Sequence, residues 1–237
     1  LDSVSQVQEL TMRIRLAAKE GGQPVPIICC DVEGGEVNRT KGLNGAPSFP
    51  SASVMRTFEP AKRERMFADM AVFLATLGIN VNLAPVVDLG TLPQGMIYSR
   101  TYGKDADQIL PIARAFVDEM ERANVGAVLK HYPGHGLTTQ DSHHGLIRVK
   151  SDAKEVMRHR EPFLKLAIEG KAKAAMLSHL LVEAIDNRLP ISISPKGVKA
   201  ARADMGDQVV LWTDSGAMSS LNAYTDAQAA ALALESG

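Results

Sequence analysis

Four of the six histidines fall within fourteen residues, in Lys130-His131-Tyr132-Pro133-Gly134-His135-Gly136 and Asp141-Ser142-His143-His144. Imidazole moves protons near neutral pH and also ligates metals, so three readings stand side by side: a His-rich surface loop, a metal site and a proton-transfer dyad. Imidazole and carboxylate suit zinc, and His131 and His135 have the spacing that aims two ligands together on a helix. Pro133, Gly134 and Gly136 argue against a helix there. In the dyad reading, alternation along an extended segment puts Asp141 and His143 on one side with Ser142 opposite. The carboxylate would then hold the imidazole in one tautomer and raise its basicity.

These groups need elements to position them, and the chain repeats one pattern. A helix over 10–19 stops at Gly21-Gly22, and the continuously apolar run 26–30 ends at Asp31 and a Glu33-Gly34-Gly35 turn. That is how a buried parallel strand with a polar loop at its carboxyl end is written, and it makes Cys29 and Cys30 buried apolar residues. Helices over 62–77, 105–123, 153–169 and 196–205 alternate with strands over 81–87, 125–129, 173–177 and 209–212, and an Ala/Leu-rich helix follows over 226–235. Five strands alternating with helices predict βαβ units and a parallel sheet. Active sites of such folds lie at the carboxyl ends of the strands, which nominates Asp31, Asp88, Lys130, His131, His179 and Asp214. No GxGxxG or Walker sequence marks an open nucleotide-binding sheet, so the α/β fold expected is a (β/α)8 TIM-type barrel. A closed barrel of that kind uses eight strands in about 250 residues, so five strands predict a barrel left incomplete, lacking strands at both ends.

The chain has 237 residues, of which 45% are hydrophobic and 22% charged, enough to bury a sizeable core as one domain over 1–237. Lys plus Arg (26) nearly cancels Asp plus Glu (27), so no strong field draws in nucleic acid or an anionic membrane. A small neutral partner is favoured. The only two cysteines are adjacent and build no disulfide framework, and no apolar run approaches the roughly 20 residues of a membrane span. The chain starts at Leu1 without Met, so a signal peptide could have been removed; the compartment stays open with the cytoplasm favoured, and so does the oligomeric state.

The strand ends carry a resemblance. Asp31-Val-Glu-Gly-Gly-Glu-Val-Asn-Arg39, Gly78-Ile-Asn-Val-Asn-Leu-Ala-Pro-Val-Val-Asp88, Ser99-Arg-Thr-Tyr-Gly103, Lys130-His-Tyr-Pro-Gly-His-Gly136, Asp141-Ser-His143 and Thr213-Asp214 follow one another over nearly the whole chain. This ordered set resembles the catalytic domain of glycoside hydrolase family 3, in its β-N-acetylglucosaminidase branch. The resemblance implies a (β/α)8 barrel with Asp214 as nucleophile, His143 as general acid/base and Asp141 as its orienting partner. It implies a sugar pocket lined by Asp31, Arg39, Arg100, Lys130 and His131, and no metal or cofactor. The expected activity is exo-acting, retaining removal of a terminal N-acetylglucosamine from peptidoglycan-derived or chitin-like saccharides.

The residue types suit those roles. Retention needs a carboxylate to form a glycosyl ester and a proton donor for the departing oxygen, which later deprotonates water. Histidine as donor leaves less negative charge in the pocket than a second carboxylate, which raises phosphorolysis as an alternative. A metal-dependent hydrolase using the histidine cluster and a non-catalytic sugar-binding domain are the others. Structural roles are also available: Asp214 as a helix N-cap, Arg39 and Arg100 as ion-pair scaffolding for Glu33 or Asp88, Lys130 and His131 as solvated rim residues. Glu33 reads as structural, His135 and His144 as loop packing, and His179 as touching the sugar or packing near it. The chain departs from the family pattern at Ser215-Gly216-Ala217-Met218, where a second acid is common, at Met205-Gly206-Asp207-Gln208, and at Glu36, where a basic residue is common. These departures bear on leaving group and substrate range more than on the reaction.

Overall fold

The structure is a computed structural model describing residues 1–141 and 144–237. Helix α1 (Val4–Glu20) leads to β1 (Cys29–Cys30), an antiparallel hairpin of β2 (Val32–Gly34) and β3 (Val37–Asn38), and the short α2 (Ala52–Met55). Next come α3 (Pro60–Thr76), β4 (Val81–Asn82), α4 (Ala106–Arg122) and β5 (Gly126–Tyr132). The remainder is β6 (Arg148–Val149), α5 (Ala153–Ile168), β7 (Ala174–Leu177), β8 (Leu181–Val182), α6 (Pro195–Met205), β9 (Val210–Thr213) and α7 (Asp226–Ser236).

Helices α4 to α7 begin where side chains satisfy the free N–H groups of a first turn. Asp105 accepts from Gln108 N–H at the start of α4, Asp152 from Glu155 N–H at α5, and Ser194 from Gly197 N–H at α6, where Pro195 supplies a preset φ. Thr225 and Gln228 form a reciprocal capping box on α7.

Five strands form one sheet in the order β1-β4-β5-β7-β9, every pairing parallel. These are the five strands expected, and the sheet they make is an incomplete (β/α) barrel, open between β1 and β9. Helices α3, α4 and α5 cover it, and their Phe67, Phe116 and Phe163 are fully buried; Phe67 and Phe116 meet edge to face at 5.0 Å, Phe163 and Tyr132 of β5 at 5.4 Å. Among the described residues no helix is long and apolar enough to cross a membrane.

Three local expectations are corrected. Cys29 is exposed and Cys30 only half-buried, because β1 is an edge strand with one side unpaired. The ladder of β4 is confined to Val81–Asn82, the chain beyond it touching β5 again through an isolated Val86–Lys130 bridge. Conversely β5 continues through Lys130 and His131 to Tyr132, so those side chains belong to the strand and not to the loop after it. The two-stranded parallel pair of β6 and β8, which the apolar pattern does not announce, ties the segment after β5 to the segment after β7.

Candidate active site

A cleft of about 370 Å³ opens at the carboxyl ends of the strands. Its walls include Asp31 from the end of β1, Lys130 and His131 from β5 and Asp214 from the end of β9, with Arg39, Arg100 and Asp141 from the intervening loops. Seven of the eight expected site residues are therefore brought together. The eighth, His143, lies outside the described residues.

One side of the cleft is a charge network. Lys130 is 2% exposed, and its ammonium lies 2.8 Å from Asp31 Oδ1 and 2.6 Å from Glu33 Oε1. Arg100 forks onto the same Glu33 with bonds of 2.9 and 2.8 Å, the bidentate geometry that guanidinium and carboxylate share. Two cations thus converge on one buried carboxylate. Burial alone would raise the Glu33 carboxyl, but Lys130 and Arg100 overcome that and hold it down at about 2. Arg39 is largely exposed at the mouth, its Nε 3.7 Å from Asp31 Oδ2. So Arg100 does scaffold Glu33, as one sequence reading allowed, and it still faces the cleft; Arg39 pairs instead with Asp31.

His131 is oriented from behind. Its Nδ1 sits 2.7 Å from Asp88 Oδ2, and its Nε2 sits 3.3 Å from Arg100 Nη2. A guanidinium can only donate, so Nε2 accepts and Nδ1 carries the proton given to Asp88. Asp88, fully buried, also accepts the backbone N–H groups of His131 (3.1 Å) and His135 (2.7 Å). Burial works to raise the Asp88 carboxyl, yet these partners hold it at about 2. Burial also pushes the His135 imidazole down to about 4, with His131 adding to the effect. The solvated-rim reading of Lys130 and His131 fails because the hairpin after β1 and the loop after β4 close over both.

The loop beyond β5 depends on glycine. Gly134 has φ +132°, and a Cβ there would meet His159 at 2.7 Å. At Gly136 a Cβ would lie 1.8 Å from the Leu89 carbonyl oxygen, closer than any side chain permits. Beneath the loop lies His159, buried and held below its ordinary value chiefly by that burial.

Asp214 follows β9, whose register with β7 continues into the Asp214 N–H to Leu177 carbonyl bond of 3.0 Å. Its carboxylate accepts from Ser215 N–H at 2.8 Å. It caps no helix, since the next helical turn starts only at Ser219. Burial raises its carboxyl, but His131, the Ser215 N–H, His179 and Lys130 together bring it below its ordinary value, so Asp214 is anionic at neutral pH.

Asp141 is half-buried in the cleft wall, with exposed His144 Nδ1 3.5 Å from its Oδ2. Among the described residues no group of three or more His, Cys, Asp or Glu side chains is gathered to hold a metal ion. Sequence reasoning gave His135 no part in the site, gave Glu33 no more than a structural part as an ion-pair partner of Arg39 or Arg100, and gave Asp88 that part and a place at a strand end. Glu33 was detectable from the need of two buried cations for a counter-charge. His135 also lines the cleft, which corrects its reading as loop packing alone.

The chain matches the family described as the glycosyl hydrolase family 3 N terminal domain over residues 1–237, and it belongs to that family. It is 32% identical over 189 residues to beta-hexosaminidase LpqI of Mycobacterium tuberculosis, covering 78% of this chain and 48% of that protein. It is 31% identical over 186 residues to a beta-hexosaminidase of Glaesserella parasuis, covering 78% and 53%. Among solved structures, a family 3 beta-N-acetylglucosaminidase from Paenibacillus superposes with a TM-score of 0.92 at 29% identity, over 100% of this chain and 46% of that one. A beta-N-acetylhexosaminidase from Beutenbergia cavernae gives 0.86 at 27% identity, over 97% and 71%. The chain spans about half the length of the curated relatives named here.

Proposed function

We propose that residues 1–237 form the catalytic barrel of a retaining exo-β-N-acetylglucosaminidase, a glycoside hydrolase that removes terminal N-acetylglucosamine from peptidoglycan-derived or chitin-like saccharides. The observation that carries this reading is an anionic Asp214 lining the same cleft as Asp31, Lys130 and Arg100, whose cations are held by the buried Glu33. The fixed donors of Lys130 and Arg100, with the acceptor oxygens of Asp31, suit the hydroxyl groups of one pyranose. Arg39 at the mouth reaches the outer edge of the sugar.

In the first step an Asp214 carboxylate oxygen attacks C1 as the C1–O bond to the aglycone breaks, and His143 gives its proton to the departing oxygen. In the second, water attacks C1, its proton passes to His143, and the ester to Asp214 breaks to return the carboxylate. Asp141 orients His143 and stabilises the imidazolium formed in the second step. The hexosaminidases and N-acetylglucosaminidases among the relatives favour hydrolysis over phosphorolysis, a metal-dependent hydrolase or a non-catalytic sugar-binding domain. The test is mass-spectrometric trapping with a slow fluorinated N-acetylglucosaminide carrying a good leaving group. A sugar ester on the peptide containing Asp214, absent in Asp214→Ala, is expected; a label elsewhere overturns the assignment.

A further inference from the structure

His179 stands in the segment after β7 and is 1% exposed. Its ring bridges two neighbouring loops. Nδ1 lies 2.6 Å from Ser192 Oγ, and Nε2 lies 2.9 Å from the carbonyl oxygen of Ser215, the residue immediately after Asp214. A carbonyl only accepts, so Nε2 carries a proton donated to Ser215, and in the neutral ring Nδ1 accepts from the Ser192 hydroxyl.

The Ser192 side of the bridge is rigid. Ser192 N–H binds the Ser178 carbonyl at 3.1 Å and Ile191 N–H the Leu180 carbonyl at 2.9 Å, tying the turn to the segment that carries His179. Further along, Asp186 accepts from Ser194 Oγ at 2.6 Å and from Arg188 N–H at 2.9 Å, which braces the loop leading into the turn.

The Ser215 side is an exposed turn. Ser215, Gly216 and Ala217 are exposed, a Cβ on Gly216 would meet nothing within 4 Å, and Met218 N–H folds back onto the same Ser215 carbonyl at 3.1 Å. Ser215 is thus held at both ends, its carbonyl by His179 and its N–H by the Asp214 carboxylate. We infer that His179 is a positioning residue for Asp214, fixing Ser215 so that its N–H aims the carboxylate into the cleft. This rests on the proposed role of Asp214, but the clamp itself is a property of the fold.

Two readouts test it. Among the described residues, the charged and titratable groups that bear on Asp214 include His131, Lys130, Arg100 and His179 itself, so a variant must separate loss of the donor from loss of a titratable ring. Gln at 179 keeps a donor near the position of Nε2 without an ionisable ring; Leu keeps neither. With an activated aryl N-acetylglucosaminide, His179→Leu is expected to lower kcat about 10- to 100-fold with KM little changed, the effect of a misaimed nucleophile, and His179→Gln to restore most of it.

Independently of turnover, the Asp214 carboxyl, followed by carbon-13 NMR, is expected to titrate higher in His179→Leu and near its original position in His179→Gln. Ser192→Ala, a milder change on the other side of the ring, is expected to shift both readouts in the direction of His179→Leu by less, and serves if His179→Leu does not fold. An unmoved Asp214 titration in both His179→Leu and Ser192→Ala overturns the inference, as does equal impairment of the Gln and Leu variants. If trapping labels another residue, the functional reading falls, while the Asp214 titration still decides the clamp.

Discussion

Glu33, which reads from the sequence as structural, holds one side of the site together. It neutralises two cations that face the cleft, and with its carboxylate gone Arg100 loses its bidentate partner while Lys130 keeps its pair with Asp31. Removing one partner of a buried ion pair costs about 3–5 kcal/mol, because a desolvated charge is left uncompensated. Glu33→Ala is therefore expected to lower the unfolding free energy by about that much, read from the urea midpoint at constant m-value. Asp88→Asn isolates orientation from charge. The amide oxygen can still accept the two backbone N–H groups that Asp88 Oδ1 accepts, but the NH2 that replaces Oδ2 can only donate towards His131 Nδ1. The expected result is a rise in KM with loss of the Nδ1–H tautomer, seen in the imidazole nitrogen-15 shifts of His131; an unchanged tautomer would rule out Asp88 as its cause.

At the scale of elements, the loop after β5 is held close to the loop after β4, and Gly136 is where the two backbones meet. A Cβ at 1.8 Å from a carbonyl oxygen cannot be relieved by a rotamer change, so the backbone itself must move. Gly136→Ala is expected to cost about 1–3 kcal/mol of stability and to displace His135 from the Asp88 carboxylate. Thermal unfolding measures the first effect and a crystal structure of the variant the second. A wild-type melting temperature would overturn the steric role of Gly136.

Taken as a whole, the molecule concentrates its acid-sensitive groups in one place. Glu33 and Asp88 sit near 2, below their ordinary values of 4.5 and 3.8, and His135 sits near 4, below 6.5. In all three the unfolded chain binds protons at a higher pH than the folded one, so stability rises with pH across each interval. It is expected to be constant between about 6.5 and 8, to fall below 6.5 as His135 and His159 are protonated in the unfolded state, and to fall again below about 4.5 through Glu33 and Asp88. Urea midpoints from pH 8 to 3 check the profile. Glu33→Gln should flatten its lower limb and leave the His135 interval in place, since glutamine does not titrate.

The backbone pattern was largely legible in the chain because it answers to local causes. Apolar periodicity marks α3 to α6, and apolar runs closed by a polar residue mark the five parallel strands with Asp31, Lys130, His131 and Asp214 at their ends. A strand's neighbours and the depth of its burial are not local, which is why Cys29 reads as core and lies exposed on an edge. The pairings within the site are less local still: Lys130 meets Asp31 across 99 residues, Arg100 meets Glu33 across 67, and His131 meets Asp88 across 43. What the sequence by itself determined was the alternation of helix and strand and the type of chemistry available at the strand ends. Only the tertiary structure decided which carboxylate answers which cation, because strand order brings those groups within bonding distance and burial, by removing water, makes each pairing necessary.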